Sequence, residues 1–481
     1  MSTGETIERI AARGDGVTAS GRHIARSAPG DIVAADGSLT PGPHHVAPPC
    51  RHFPTCGGCQ LQHADETALR QFVTDRVVHA AEGQGVPIGE VLPTHLSPPN
   101  SRRRATLHAL RTAKGAVLGF REGGSHRIVD MRECHILRPE LFALAAPLRA
   151  LVAEYGTRTP VDIELALGDQ GIDCTLKGIE AEGLAATEAM LEFARDNNLA
   201  RLSLDRGFGP ETVWEPQPLT ITLGNIPVPF PHGSFLQPTA DGESVLVGDA
   251  QRYLAGANTV ADLFSGLGTF AFALAGPRKV LAVEAARDAH MACKAGANAR
   301  GIPVLTLHRD LFRNPLQSAE ASRFGALLLD PPRAGAREQV AQIAASEASR
   351  VAYVSCNPAS WARDAKLLVE AKADLAAKDK KGRTALDLAT GEAKRELANY
   401  LRGVGVTSKS DEEAAKSIFV AAKIGSIDAI KKHLEAGVDV NGKNKSGQTA
   451  LHVAAKAGQV DAVGALLEAK ADVAAADKSQ K

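Results

Sequence analysis

The chain has 481 residues, with 55 basic and 55 acidic side chains and a formal net charge of zero. That length accommodates about three domains of roughly 100 to 200 residues each, and the balanced charge provides no bulk attraction to nucleic acid or to an anionic membrane. Any such contact has to come from a local patch. The opening "MSTGETIERIAARGDG" has no apolar run behind a basic start, which excludes a secretory signal. The longest apolar stretch, "VADLFSGLGTFAFALAG", is broken by Asp262 and glycines and suits a buried strand and helix better than a bilayer span. The expected location is the cytoplasm. Cysteines stand at 50, 56, 59, 134, 174, 293 and 356, and in a reducing compartment such a set points to metal binding or catalysis rather than disulfides.

Residues 5 to 40 carry short alternating apolar positions punctuated by Gly and Pro, the pattern of a small β-barrel. The Pro-rich "LTPGPHHVAPP" leads into "CRHFPTCGGCQLQH", whose C-x5-C-x2-C spacing is joined far downstream by Cys134 of "DMRECHIL". Four thiolates can hold a [4Fe–4S] cluster or a structural zinc. Zinc prefers paired C-x2-4-C knuckles, and only one half here has that form, which favours iron–sulfur. Between 97 and 132 the chain holds eight basic and two acidic residues, a local excess that begins at Arg102, Arg103 and Arg104. Mixed strands and helices are expected from about 92 to 230, for example the strand "VDIELAL" and the helix "LAATEAMLEFARDNN".

Beyond residue 255 the apolar runs "VADLF", "KVLAVEA", "VLTLHRD", "ALLLDPP" and "VAYVSCNP" alternate with helical segments, predicting five strands of a parallel sheet covered on both faces. In "VADLFSGLGTF" a strand ends at Asp262 and passes through Gly266 and Gly268 into a helix, where glycines let backbone approach a ligand closely. A dinucleotide site would want a third glycine, and position 271 is Ala. Glu284 ends the next strand, placed to accept hydrogen bonds from ribose hydroxyls. Asp330 of "LLLDPPRAG" and Cys356 of "VAYVSCNP" end later strands, and ligands of open α/β sheets bind at the carboxyl ends. An isolated free cysteine is usually an inert buried hydrophobe, but three motifs converging on one edge favour a site.

Near residue 366 the composition changes abruptly. Residues 1 to 366 hold 31 Arg and 5 Lys, residues 367 to 481 hold 3 Arg and 16 Lys, and all 26 prolines lie before the change. Beyond it, "RTALDLA" and, 65 residues on, "QTALHVAAKAGQVDAVGALLEAKADV" carry the ankyrin signature, two helices per unit of about 33 residues. Between them "SIFVAAKIGSIDAIKKHLEAGVDVN" reads as another helix pair, and the repeats imply a protein-binding surface.

Over about residues 5 to 366 the combination of "CGGCQLQH", "SPPNSRRRATL", "LGFREGGSHRIVD", "GSFLQP", "DLFSGLGTF", "LLLDPPRAG" and "SCNPASWARD" resembles the RNA (uracil-5-)-methyltransferase family. The resemblance implies an α/β, Rossmann-like S-adenosyl-L-methionine-dependent methyltransferase preceded by a TRAM-like β-barrel and an α+β RNA-binding domain. The implied boundaries are 1–45 for the barrel, 46–240 for the central domain with its four-cysteine cluster, 241–367 for the methyltransferase domain and 368–481 for all-α ankyrin repeats. It implies cofactor contacts at Gln237, Phe264, Thr269, Glu284, Asp310 and Asp330, a [4Fe–4S] cluster on Cys50, Cys56, Cys59 and Cys134, and Cys356 as the nucleophile that adds to carbon 6 of uracil. Ser265 stands where the family usually has Cys. Large-subunit ribosomal RNA is the first expected substrate and a transfer RNA loop the second, with Arg102, Arg103 and Arg104 expected to hold phosphates. In the family the nucleophile strand is followed by a helix, two further strands and a histidine–glutamate motif that supplies the base. Here the chain passes directly into "VEAKADLAAKDKKGRTALDLA", so the sheet is expected to lack its last strands and to expose an apolar edge. Glu392 falls at a comparable distance in an ankyrin-like context, and the base role does not transfer to it. The alternative expectation is an RNA-binding and protein-binding fusion with impaired catalysis.

Overall fold

The computed structural model describes residues 4–372 and 413–476. They divide into two compact units, the first up to Val86 and from Val91 to Leu368, the second from Val369 onward together with Pro87–Glu90. The "RTALDLA" segment and Glu392 lie outside the described residues.

The first unit opens with a five-stranded antiparallel sheet, β1 (Glu5–Ile10), β2 (Gly16–Thr18), β3 (His23–Ile24), β4 (Ile32–Val33) and β5 (Leu39–Thr40), in the order β3-β2-β1-β4-β5. Such short strands need a tether. Fully buried Asp31 provides it, accepting from the backbone N–H of Ala28 at 2.8 Å and Gly42 at 2.7 Å and meeting His45 Nδ1 at 2.7 Å. Helix α1 (Glu66–Gly83) follows, its first turn capped by Asp65, which accepts from the Ala68 N–H.

A six-stranded mixed sheet forms the middle of the unit, from β6 (Arg104–Thr112), β7 (Gly115–Gly119), β8 (Val161–Gly168), β9 (Gly171–Lys177), β10 (Leu199–Asp205) and β11 (Pro210–Trp214), ordered β11-β10-β9-β8-β6-β7. Period-two alternation turns Leu107 and Ala109 of β6 and Val161, Ile163 and Leu165 of β8 inward. There they meet α2 (Pro139–Ala143), α3 (Ala145–Tyr155) and α4 (Leu184–Asp196) in one core.

A hairpin of β12 (Thr220–Leu223) and β13 (Ile226–Pro229) and helix α5 (Ala240–Tyr253) lead into the second sheet. It comprises β14 (Thr259–Leu263), β15 (Lys279–Glu284), β16 (Val304–His308), β17 (Ala326–Leu329) and β18 (Val351–Tyr353), all parallel and ordered β16-β15-β14-β17-β18. The intervening helices are α6 (Thr269–Leu274), α7 (Arg287–Arg300), α8 (Ser318–Ala321) and α9 (Arg337–Ala344), with α10 (Pro358–Lys372) after β18. All four residues of β17 are fully buried, as two-sided cover requires. The order runs outward in both directions from β14 and β17, which makes their carboxyl ends the switch point where a crevice opens.

The five expected strands are present, and β18 is the terminal strand of the sheet among the described residues. Beside it lies a groove lined by Val73 and Val77 of α1, Leu92, and Val245, Leu246 and Tyr253 of α5. Leu92 is 52% and Tyr253 57% exposed, and the charges at its rim are paired internally, Asp249 with Arg252 and Asp241 with His95.

Among the described residues the second unit contains two helix pairs, α11 (Ile418–Ile424) with α12 (Ile427–Glu435) and α13 (Ala450–Lys456) with α14 (Val460–Glu468). Ser417 and Thr449 cap the first helix of each pair 32 positions apart, and Ile418, Ile430, Ala454 and Leu466 share one core. No helix among the described residues is long and apolar enough to cross a membrane.

A free strand edge beside an apolar groove is a template for self-association. Tyr253→Lys should therefore slow the growth of light scattering on warming, while changing the unfolding free energy by no more than about 0.5 kcal/mol because the side chain is exposed. Unchanged scattering would show that this edge does not drive aggregation.

Candidate active site

The carboxyl ends of β14, β15, β16, β17 and β18 bring most of the expected site residues to one edge of the parallel sheet. Phe264 leaves β14 with φ of +61°, strained for a side chain with a Cβ, and its ring packs against Phe312 at 5.3 Å. The turn continues through Gly266 and Gly268, at φ +55° and +97°, into Thr269, the first residue of α6. A methyl group on Gly268 would stand 2.7 Å from the Phe272 ring and 2.9 Å from Cys293 Sγ, so only glycine fits. Ser265 is buried with no partner for its hydroxyl, while its N–H donates to Val283 at 3.0 Å.

Glu284 is aimed by the backbone, accepting from the Gly266 N–H at 2.9 Å and the Ala286 N–H at 2.7 Å. Asp310, just beyond β16, accepts from the N–H groups of Phe312 and Arg313 at 2.9 and 3.2 Å. The Gln237 side-chain amide donates to Asp330 Oδ2 at 3.3 Å, and burial lifts the Asp330 carboxyl to about 6.

Asp262 is the most strained group electrostatically. It is wholly buried and neither carboxyl oxygen makes a well-formed hydrogen bond. Burial first, then the charges of Asp330 and Glu284, push it well above the usual carboxylate range, and the Ala271 amide offsets this only in part. Sequence reasoning placed Asp262 at the strand end but gave it no role, since nothing in the motif reports that its oxygens lack well-formed hydrogen bonds.

Cys356 is exposed just past β18. Its turn is fixed by the Asn357 N–H donating to Ser355 Oγ at 3.1 Å and by Asn357 Nδ2 and Ser360 Oγ both donating to the Arg333 carbonyl, at 2.9 and 3.0 Å. Buried Asp364 ties the loop after Asp330 to α10, accepting from the Tyr353 hydroxyl and the Ala336 N–H, each at 2.7 Å. Its quoted motif contained this residue, but only the fold shows the bracing.

Cys50, Cys56, Cys59 and Cys134, all free, wall one small cavity with Phe53, Phe120, Met131 and Ile136. Burial raises the thiols of Cys56, Cys59 and Cys134, and backbone N–H groups of Gly58 at Cys56 and of Ile136 and Leu137 at Cys134 act against it. Among the described residues no three ligating side chains are grouped to hold a metal ion.

The arginine triplet requires a correction. Arg103 is 8% exposed and pairs with Glu243 at 2.5 Å, so it is not available to hold a phosphate. The guanidinium of Arg104 is half-buried over the Phe235 ring, 4.7 Å from its centroid.

Residues 216–375 match the family model described as tRNA (Uracil-5-)-methyltransferase, and residues 392–477 match ankyrin repeats, in three copies. An uncharacterized RNA methyltransferase of Zymomonas mobilis is 48% identical over 366 residues, covering 76% of this chain and 92% of that protein. The 23S rRNA (uracil(1939)-C(5))-methyltransferase RlmD of Burkholderia thailandensis is 35% identical over 357 residues, 69% of this chain and 76% of that one. The chain belongs to the RNA (uracil-5-)-methyltransferase family. The fold agrees with that of the Pyrococcus abyssi tRNA (uracil-54, C5)-methyltransferase in complex with S-adenosyl-L-homocysteine, with a TM-score of 0.59 at 21% identity over 76% of this chain and 93% of that one. This methyltransferase therefore carries ankyrin repeats after its methyltransferase region in the sequence.

Raised carboxyls leave a pH signature. An unfolded Asp330 ionises near 3.8 and the folded one near 6, so the folded state holds the extra proton between those values and stability falls as pH rises through that window. Asp330→Asn should remove that fall. Its unfolding free energy relative to the parent protein should climb by up to about 3 kcal/mol from pH 4 to pH 6 and then level off. Urea unfolding at stepped pH checks this, and a difference independent of pH would refute it.

Proposed function

We propose that this family member methylates carbon 5 of a uridine in RNA through a covalent adduct at Cys356, with S-adenosyl-L-methionine as methyl donor and 23S ribosomal RNA as first substrate. The observation that carries the reading is Cys356 itself, exposed at the same sheet edge as the glycine turn and Asp330. The RlmD relative supports ribosomal RNA over transfer RNA, whose uracil-54 enzyme shares the fold at lower identity.

The residues fit the cofactor. The Glu284 carboxylate is held by the Gly266 N–H at a turn where a side chain on Gly266 would meet nothing within 4 Å, which leaves that backbone open to close approach. Phe264, Thr269, Glu284, Asp310, Gln237 and Asp330 would hold S-adenosyl-L-methionine, which when bound supplies an electrophilic methyl group. The Cys356 thiolate would form a bond to carbon 6 of uracil, and the electron pair displaced onto the carbon 5 enolate would take up the methyl group as its bond to the sulfonium sulfur breaks, that bond's electron pair staying on the sulfur of the departing S-adenosyl-L-homocysteine. A base then takes the proton on carbon 5, and the returning pair expels Cys356. The target uridine has to leave its stack to reach Cys356.

The four thiols would hold a [4Fe–4S] cluster. They wall one cavity with Phe53, Phe120, Met131 and Ile136, the enclosure in which such a cluster would sit. The N-terminal sheet would serve as the TRAM-like RNA holder, residues 46–240 as the central RNA-binding domain, 241–367 as the methyltransferase domain and 368–481 as a surface for a protein partner in the cytoplasm.

The family base follows the nucleophile strand, and this chain has repeats in that place. Slow turnover or a trapped adduct is the expected consequence. Incubation with 23S rRNA should give a denaturation-resistant protein–RNA adduct that Cys356→Ala reduces to background, with RNA affinity held within about twofold because the thiol contributes little binding. Rapid multiple turnover would refute the missing base, and an adduct surviving in the variant would refute the nucleophile. Anaerobically purified protein should absorb broadly in the visible, and Cys134→Ser should bleach it, whereas a colourless zinc-loaded protein would exclude the cluster.

A further inference from the structure

We infer that Arg103 is a positioning residue for the cofactor edge, acting through Gln237 rather than on RNA. This rests on the cofactor reading above and assigns a role that the charge run concealed. Arg103 directly precedes β6 on the central sheet, yet its contacts lie on the segment that enters α5. Its Nε donates to the Gln237 carbonyl at 3.0 Å, its Nη2 to Glu243 Oε2 at 2.5 Å, and its backbone N–H to the Pro238 carbonyl at 2.8 Å. Its own carbonyl accepts from the Leu167 N–H at 2.9 Å, which anchors the arginine to β8. The side chain of Gln237, gripped in this way at its backbone, donates to Asp330.

The neighbours reinforce the grip. Arg102 makes a backbone bridge to Thr239, the cap of α5, and Thr239 Oγ1 lies 2.8 Å from Ser97 Oγ. Arg104 covers Phe235 two residues before Gln237. A run of three positive charges thus contributes a backbone bridge, a buried fork and a ring contact to one nine-residue stretch, Phe235 to Glu243.

A guanidinium is required by the geometry. Two acceptors, one a carbonyl and one a carboxylate, are met by different nitrogens of one rigid fork, which the single ammonium of lysine cannot reproduce. Burial holds Glu243 above its usual range despite the arginine, so removing Arg103 alone would strand a desolvated carboxylate and weaken the fold. The informative variant is therefore Arg103→Met with Glu243→Gln, which removes both charges together and leaves the Gln237 carbonyl without its donor.

The test is calorimetric titration of the full chain with S-adenosyl-L-homocysteine, beside circular dichroism and RNA binding at several salt concentrations. The double variant should fold, lose about tenfold in affinity, as expected for one hydrogen bond with its geometry, and keep the parent's salt dependence of RNA binding. Gln237→Ala should lose a similar factor, and adding it to the double variant should cost little more, since both act on one contact. Unchanged affinity in the folded variant overturns the inference, as does full additivity with Gln237→Ala. A salt slope reduced by about one would return Arg103 to phosphate binding. If the parent protein fails to bind the ligand, the cofactor reading falls and this inference with it.

Discussion

Parallel pairing of β14 with β15 and β17, and of β17 with β18, governs the chemistry available to this chain. Hydrogen-bonded in register, the strands must all end on the same side. Their connections return over the faces, so the carboxyl ends stay uncovered and the loops leaving them share one crevice. Phe264, Glu284, Asp310, Asp330 and Cys356 come from five separate stretches of sequence, and strand direction alone collects them. The hydrophobic core pays for this placement, because the runs that fix the strands are the ones that bury it.

The same crevice concentrates negative charge. Desolvation raises the proton affinity of Asp262 and Asp330, and the charges of Asp330 and Glu284 add to it at Asp262. The buried Asp262 carboxyl lacks a well-formed hydrogen bond, and an orphaned buried acceptor costs about 1–3 kcal/mol. The left-handed backbone at Phe264 adds strain at the turn that follows the same strand.

Much of this was legible in sequence because it is local. Continuous apolar runs announced five buried strands, glycines at 266 and 268 announced the turn, and the C-x5-C-x2-C spacing announced the thiols that now wall a cavity with Cys134. What the sequence concealed depends on distant partners. Arg103 read as one of three arginines holding phosphates because its partners, Gln237 and Glu243, lie more than 130 residues away. Asp364 looked like an ordinary helix residue until the fold set it against Tyr353 and Ala336. The groove beside β18 draws on α1 and α5, and no local pattern relates those helices to a strand so far along the chain.

The cysteine cavity bears on the order in which the protein assembles. Three of its thiols lie between residues 50 and 59, and the fourth arrives only at 134, after α1, β6 and β7 have been made. A ligand that bridges them closes a loop over all the intervening chain, and a closed loop removes conformational freedom from the unfolded ensemble much as a covalent cross-link does. The backbone already makes part of this joint, the Gly57 N–H donating to the Arg121 carbonyl at 2.9 Å and Cys56 bridging to Glu122, so a group held by all four thiols would reinforce a closure that the chain itself begins.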